Sequence, residues 1–304
     1  MNKLRLLLSG DRGFVGQNLK SFLKDYEVIT ARGDFTSPIR VDSIFSYYRP
    51  DIVVHLAAKC GGIQANLKSP ADFFTKNILM GVNILEASVK YKVRKVLQVG
   101  TVCSYPENPP VPFQEKDIWE GAPEPSNAPY GVAKRALLTA AEAYRAQHGL
   151  NVITLLPTNM YGKFDSFDEN KSHVIPALIR KFLSGEPTVT IWGTGEATRE
   201  FLYVDDFCAA VVAALEKYDE AQPLNIGGYE EISIGELAHL ISGLTGFTGK
   251  IVFDESRPNG QPRRSLDSSL ARKFLNYSPK VSLKEGLPSV INYYKEIKIA
   301  RNID

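Results

Sequence analysis

The sequence predicts an α/β protein, a doubly wound parallel sheet followed by a smaller mixed α/β unit. Two patterns carry that expectation. Through the first half of the 304-residue chain, short and nearly continuous apolar runs alternate with longer stretches of helical periodicity. Strands buried on both faces of a parallel sheet read in this way. From about Asn159 the alternation weakens and Gly, Pro and Thr punctuation grows, as in Trp192-Gly193-Thr194-Gly195.

Taken in order, residues 4–8, 27–30, 51–56, 95–99 and 152–156 are the expected strands, rich in Val, Leu and Ile. Among the helices between them, residues 70–91 are the clearest. Phe74, Ile78, Leu85 and Val89 recur at helical spacing there, opened by Ser69-Pro70 as cap and first-turn proline. In the second half, Asp205-Asp206 caps a helix running to about Lys217, and Ser233-Ile234-Gly235-Glu236 is a capping-box pattern. Two units are expected, over residues 1–160 and 161–304. Their boundary is soft, because within residues 203–227 the run 223–226 can return as a strand of the first sheet.

Composition excludes several classes. With 44% hydrophobic and 23% charged residues, there is enough apolar material to offset the entropy of ordering the chain. Thirty-six basic against 34 acidic residues leave +2, too little field to hold nucleic acid or an anionic membrane. No uninterrupted apolar run approaches the ~20 residues of a membrane span, and the apolar N-terminal run, broken at Gly10, is too short for a signal peptide. Three cysteines (60, 103 and 208) form no CxxC pair, and an odd count argues against a disulfide framework. A cytoplasmic protein is expected, with no metal, membrane or nucleic-acid partner.

Gly10, Gly13 and Gly16 follow the first strand and open the first helix. The first lets the chain turn tightly, the second lets backbone approach a pyrophosphate, and the third lets helix pack on strand. This makes the first unit a Rossmann-type dinucleotide domain. The second strand then indicates which dinucleotide. It ends Thr30-Ala31-Arg32, with no acid before Asp34 to hold two ribose hydroxyls, and Arg12 is a second cation in the glycine turn. Arginine there favours the 2′-phosphate of NADP over NAD.

Tyr130 and Lys134 lie four residues apart and share one helix face, where an ammonium assists ionisation of a phenol. The spacing alone is weak, since Tyr91/Lys95 and Tyr294/Lys298 repeat it. Tyr91 comes late in a helix, at the wrong edge of a parallel sheet, and Tyr294 lies in a polar C-terminal helix. Only Tyr130 stands at a helix start beyond the C-terminal end of a strand, the edge where open α/β sheets bind ligands. Thr101, in the loop after that strand, is placed to hydrogen-bond a substrate oxygen.

Together these residues resemble the extended short-chain dehydrogenase/reductases, over nearly the whole chain. Further segments are similar to their GDP-L-fucose synthase branch: Gly10–Gly16, Ala57–Ile63, Pro157–Gly162, Ser172–Leu178, and Trp192-Gly193 followed by Arg199-Glu200-Phe201-Leu202. The resemblance implies two epimerisations, at C3 and C5 of a GDP-linked 4-keto-6-deoxy sugar, followed by NADPH reduction at C4. It implies Thr101, Tyr130 and Lys134 as reduction residues, and Cys103 and His173 as the acid–base pair for epimerisation. Free thiols and imidazoles titrate at about 8.5 and 6.5, which suits that work. Cofactor contacts are implied at Phe14, Val15, Ala57, Ala58, Pro157, Asn159 and His173, besides the three glycines, Arg12, Arg32, Tyr130 and Lys134. Lys181, Trp192, Arg199 and Arg264 are implied on the substrate side, and the branch commonly forms homodimers, for which helix 70–91 offers an apolar face.

Two departures stand out. Thr101-Val102 occupies the place of two serines, and Lys171 that of an asparagine. Reduction without epimerisation, on a related GDP-keto sugar such as a deoxyheptose, therefore stays open. So does an NAD-dependent UDP-sugar 4-epimerase. A non-catalytic redox sensor fits less well, because Thr101, Tyr130 and Lys134 are all present.

Overall fold

A computed structural model describes residues 3–169, 172–257 and 260–300; Lys171 lies outside the described residues. Three consecutive leucines determine the character of the first strand, β1 (Arg5–Ser9). Leu6, Leu7 and Leu8 are all fully buried, and they pack alternately: Leu6 and Leu8 into one core, Leu7 into the other. Burial of each such side chain stabilises by about 1.5–3 kcal/mol, so the strand is held from both faces.

The first unit continues with α1 (Phe14–Leu19), β2 (Glu27–Ile29), α2 (Pro38–Tyr48), β3 (Ile52–His55), α3 (Ile63–Lys68), α4 (Pro70–Lys90), β4 (Lys95–Val99), α5 (Ala128–His148) and β5 (Val152–Pro157). The chain then forms β6 (Asn159–Tyr161), α6 (Val174–Phe182), β7 (Thr188–Trp192), β8 (Thr198–Tyr203), α7 (Val204–Lys217) and β9 (Leu224–Ile226). It ends with β10 (Glu230–Ser233), α8 (Ile234–Thr245), β11 (Lys250–Asp254), β12 (Arg263–Arg264), α9 (Ser269–Leu275) and α10 (Leu283–Ala300).

The main sheet has six strands in the order β2-β1-β3-β4-β5-β9, every pairing parallel. This is the expected doubly wound architecture. The chain leaves β1 toward β2 and returns beyond β1 to β3, so the order switches between β1 and β3 and a crevice opens at their C-terminal ends. Helices α2, α4 and α5 cover one face, and Gly81 lets α4 meet α5, since a Cβ there would stand 2.4 Å from Leu137 Cδ2. Helix α7 covers the other face with Phe207 and Val211, and Leu275 of α9 reaches back into the same core.

Beyond the main sheet the pairings are mixed, parallel and antiparallel. Strands β10, β8 and β12 form one sheet with β6 also on β8, and β7 pairs with β11. Tyr294, expected in a polar helix, is buried in the core that these strands line, against Phe167, ring centroids 4.5 Å apart.

The six-stranded sheet and the sheet built on β8 are tied together at Glu200. Its backbone carbonyl accepts from Thr158 Oγ1 (3.2 Å) and Asn159 Nδ2 (3.0 Å), and its carboxylate from Leu266 N (2.9 Å). Burial pushes this carboxyl up to about 7 from an ordinary 4.5. Between those values the folded protein holds the proton more tightly than the unfolded chain, so the group's contribution is full below pH 4.5 and is lost as pH rises through 7. At about 1.4 kcal/mol per unit, Glu200→Gln is expected to gain about 3 kcal/mol on the wild type across that interval, as read from urea denaturation at stepped pH. A pH-independent difference would mean that Glu200 ionises alike in both states.

Candidate active site

Gly10 ends β1 in a left-handed conformation, φ 75°, and a Cβ there would stand 2.7 Å from Ala57 N. Only glycine fits without strain. In α1 the missing Cβ of Gly16 lies 2.3 Å from Gly10 O, so any side chain would push the helix off the turn. Gly13 is the extended N-cap of α1, whose first turn carries no acidic residue and no side-chain cap. Its N–H groups are thus left for an anion. Phe14 and Val15 are half-buried in that turn, and the loop after β6 closes on it, Asn18 Nδ2 donating to Lys163 O at 2.8 Å.

Beyond β2, Ala31 is buried and Arg32 exposed, as is Arg12 in the glycine turn. Arg40 of α2 joins them, donating from Nε to Arg32 O at 3.1 Å and lying over Gly33. Asp34 is occupied with Thr36, accepting from its Oγ1 (2.7 Å) and N (2.9 Å), bonds that hold its carboxyl below the usual range. A Cβ-free cradle with cations beyond β2 fits a phosphorylated dinucleotide.

Under the crevice, Ser9 Oγ meets His55 Nδ1 at 2.8 Å and accepts from Ala57 N at 3.3 Å. Burial, aided by the charge of Lys134, drives the His55 imidazole down to about 3, so it is neutral. Ala57 and Ala58 follow, half-buried, on the loop leading to Cys60.

The loop after β4 and the start of α5 build the candidate cluster. Thr101 Oγ1 accepts from Cys103 N at 3.2 Å and sets a short turn that leaves Cys103 half-buried. Gly131 lets α5 lie directly on this turn, since a Cβ there would be 2.2 Å from Cys103 O. Tyr130 stands edge-on to Phe73, centroids 6.2 Å apart, with its Oη 3.5 Å from Cys60 Sγ. One turn on, buried Lys134 donates from Nζ to Val99 O at 2.8 Å. Burial raises the Tyr130 phenol well above its ordinary range; the Cys60 and Cys103 thiols add to this and the Thr101 hydroxyl opposes it. Burial lowers the Lys134 ammonium. The phenol is therefore held protonated, against the ionisation expected from its lysine neighbour. The rival pair Tyr91/Lys95 is committed elsewhere: Tyr91 Oη donates to Asp42 (2.8 Å) and Lys95 Nζ to Leu215 O (2.7 Å).

Arg264 flanks the cluster, its Nη1 4.0 Å from Cys103 Sγ. Across the β12–β8 pairing it faces Arg199 in register, whose guanidinium is pulled down to about 10 by burial and then by Arg264. Among the described residues neither arginine makes an ion pair. Two adjacent cations, opposed only by the more distant charge of Glu231, favour an anionic ligand.

The remaining predicted residues divide. His173 is the exposed N-cap residue of α6, and the preceding carbonyl, Ser172 O, lies 3.2 Å from where a Gly62 Cβ would stand. Beside it Asp165 is buried with Oδ2 unpartnered, its carboxyl raised by burial against the opposing pull of His173. Pro157 is buried at the end of β5, and the Asn159 side chain is spent on Glu200. Lys181 Nζ donates to Thr190 O at 2.7 Å, two residues before Trp192, whose ring carries the Arg257 guanidinium at 5.2 Å.

Sequence reasoning missed Cys60, Gly131, Arg40, Asp165, Glu200 and Arg257. One signal was available: glycine inside a helix costs about 1 kcal/mol against alanine, which asks for a close contact at Gly131. Among the described residues, no helix is long and apolar enough to cross a membrane, and no His, Cys, Asp or Glu cluster is arranged to hold a metal ion.

Residues 6–227 match the model of the NAD dependent epimerase/dehydratase family. The chain is 42% identical to a GDP-L-fucose synthase of Sinorhizobium fredii, the match covering 93% of each. It is 38% identical to GDP-L-fucose synthase 1 of Arabidopsis thaliana over 95% of this chain and 93% of that protein. A GDP-mannoheptose C4 reductase from Campylobacter jejuni with NADP bound superposes with a TM-score of 0.86 at 28% identity, covering 97% of this chain and 99% of its own.

Proposed function

The chain belongs to the NAD dependent epimerase/dehydratase family, and from that premise we propose that it is an NADPH-dependent 3,5-epimerase and C4-keto reductase of a GDP-4-keto-6-deoxy sugar, as a GDP-L-fucose synthase is. One observation carries the reading: a half-buried thiol, Cys103, shares a single turn with Thr101 and lies under the helix that presents Tyr130 and Lys134. A reductase alone needs the last three; the thiol adds a group able to exchange a carbon-bound proton.

Gly10, Gly13 and Gly16 would hold the pyrophosphate, with Phe14, Val15, Ala57, Ala58, Pro157 and Asn159 along the rest of the dinucleotide. Arg12, Arg32 and Arg40 favour a 2′-phosphate, and hence NADP. When bound, the cofactor supplies the hydride for C4. Tyr130 gives its proton to the C4 oxygen, Thr101 orients that oxygen, and Lys134 offsets the charge left on the phenolate. Before that, Cys103 and His173 take and return protons at C3 and C5, on carbons made acidic by the neighbouring ketone. Arg199 and Arg264 meet anionic oxygen of the substrate, and Lys181 and Trp192 line the nucleotide side. Residues 1–160, with the returning segment 203–227, serve as the dinucleotide domain, and 161–304 close over the sugar. The protein works in the cytoplasm, where its thiols stay reduced. It pairs with a second copy through α4 and α5, which present a shallow apolar recess lined by Pro70, Phe74, Pro129 and Val132.

The test has two stages. Incubating the protein with GDP-4-keto-6-deoxymannose in D2O, without NADPH, should place deuterium at C3 and C5. Adding NADPH should then consume it stoichiometrically, and faster than NADH. NADPH consumption with no label reduces the assignment to C4 reduction; the absence of both label and NADPH consumption sinks it.

A further inference from the structure

The reaction leaves Cys60 without a role, although its Sγ lies 3.5 Å from Tyr130 Oη. The position is built. Lys59, the residue before it, is clamped through both backbone groups by buried Asn77, N to Oδ1 at 3.1 Å and O from Nδ2 at 3.1 Å. Cys60 is exposed, whereas Lys134 Nζ is committed to Val99 O and the Tyr130 ring abuts Phe73.

We propose that Cys60 is the proton relay between solvent and Tyr130. This rests on the reductase reading above. When the phenol has given its proton to the substrate oxygen, the Cys60 S–H bond breaks and the Tyr130 O–H bond re-forms. The thiolate then takes a proton from water. No electrons move, and one solvent proton enters for each hydride delivered. The order is favourable, because thiols ordinarily titrate near 8.5 and phenols near 10. The charged and titratable groups around the pair are Lys134 of α5, Cys103 of the loop after β4, and the Lys59–Asp72 ion pair (3.0 Å) beside Phe73.

Two measurements decide it. Iodoacetamide, with the adduct at Cys60 located by peptide mass spectrometry, reads the contact without turnover. Tyr130→Phe should move the pH midpoint of Cys60 alkylation. In steady state, Cys60→Ala should lower kcat about tenfold near neutrality with KM unchanged. It should also remove the alkaline fall of kcat, so that the two proteins converge at high pH. Cys60→Ser, whose hydroxyl is too weak an acid to form the anion through which the relay passes, should resemble Cys60→Ala in both respects. A merely structural role would lower kcat equally at all pH. An unchanged alkylation midpoint, or the same kcat–pH profile in active Cys60→Ala as in the wild type, overturns the relay alone. A wild type that reduces no GDP-4-keto sugar overturns the reductase reading and the relay with it.

Discussion

Replacing Tyr130 by phenylalanine should lower kcat for C4 reduction by about 10² to 10⁴, or roughly 3–5 kcal/mol of transition-state stabilisation, while NADPH still binds. The size follows from the surroundings of the phenol. Burial keeps it protonated, so it meets the ketone as a donor. Its loss leaves Thr101 as the hydroxyl beside the developing alkoxide, and that hydroxyl already accepts from Cys103 N at 3.2 Å. Phenylalanine keeps the edge-on packing against Phe73, so the helix start and the Gly131 contact should persist. Stopped-flow hydride transfer and fluorescence titration with NADPH separate the two effects. Equal losses of affinity and rate would mean that the ring positions the cofactor and does not donate the proton.

The parts legible in the sequence are those whose signal is local. β1, β3, β4 and β5 are near-continuous apolar runs, and their burial on both faces is what such runs require. Tyr130 and Lys134 were legible because four residues on a helix make neighbours, and because the strand before them ends at the ligand edge. The short strands β6, β10 and β12 were not. β10 is half-buried along its whole length and so shows no alternation. The pairings that complete the cluster have no local signal at all. Cys60 meets Tyr130 across 70 residues, and Arg264 meets Cys103 across 161, distances over which spacing carries no information. Arg264 matched the substrate side by resemblance; only the register of β12 against β8 places it beside the thiol and next to Arg199.

That placement sets the second large effect. Cys103→Ser should slow deuterium exchange at C3 and C5 by about 10² or more, yet leave reduction of an already epimerised keto sugar within about threefold of the wild type. Serine is nearly isosteric, and the bond that fixes the turn, Cys103 N to Thr101 Oγ1, is made by the backbone and survives the change. Only the acidity of the side chain differs, since an aliphatic hydroxyl is a far weaker acid than a thiol and cannot supply or accept the exchanged proton near neutrality. The partition between the two reactions is the diagnostic. If both fall together, the substitution has disturbed the turn on which Tyr130 and Thr101 also depend. If exchange persists, the proton is carried by another group, and His173 with its buried neighbour Asp165 is the next to replace.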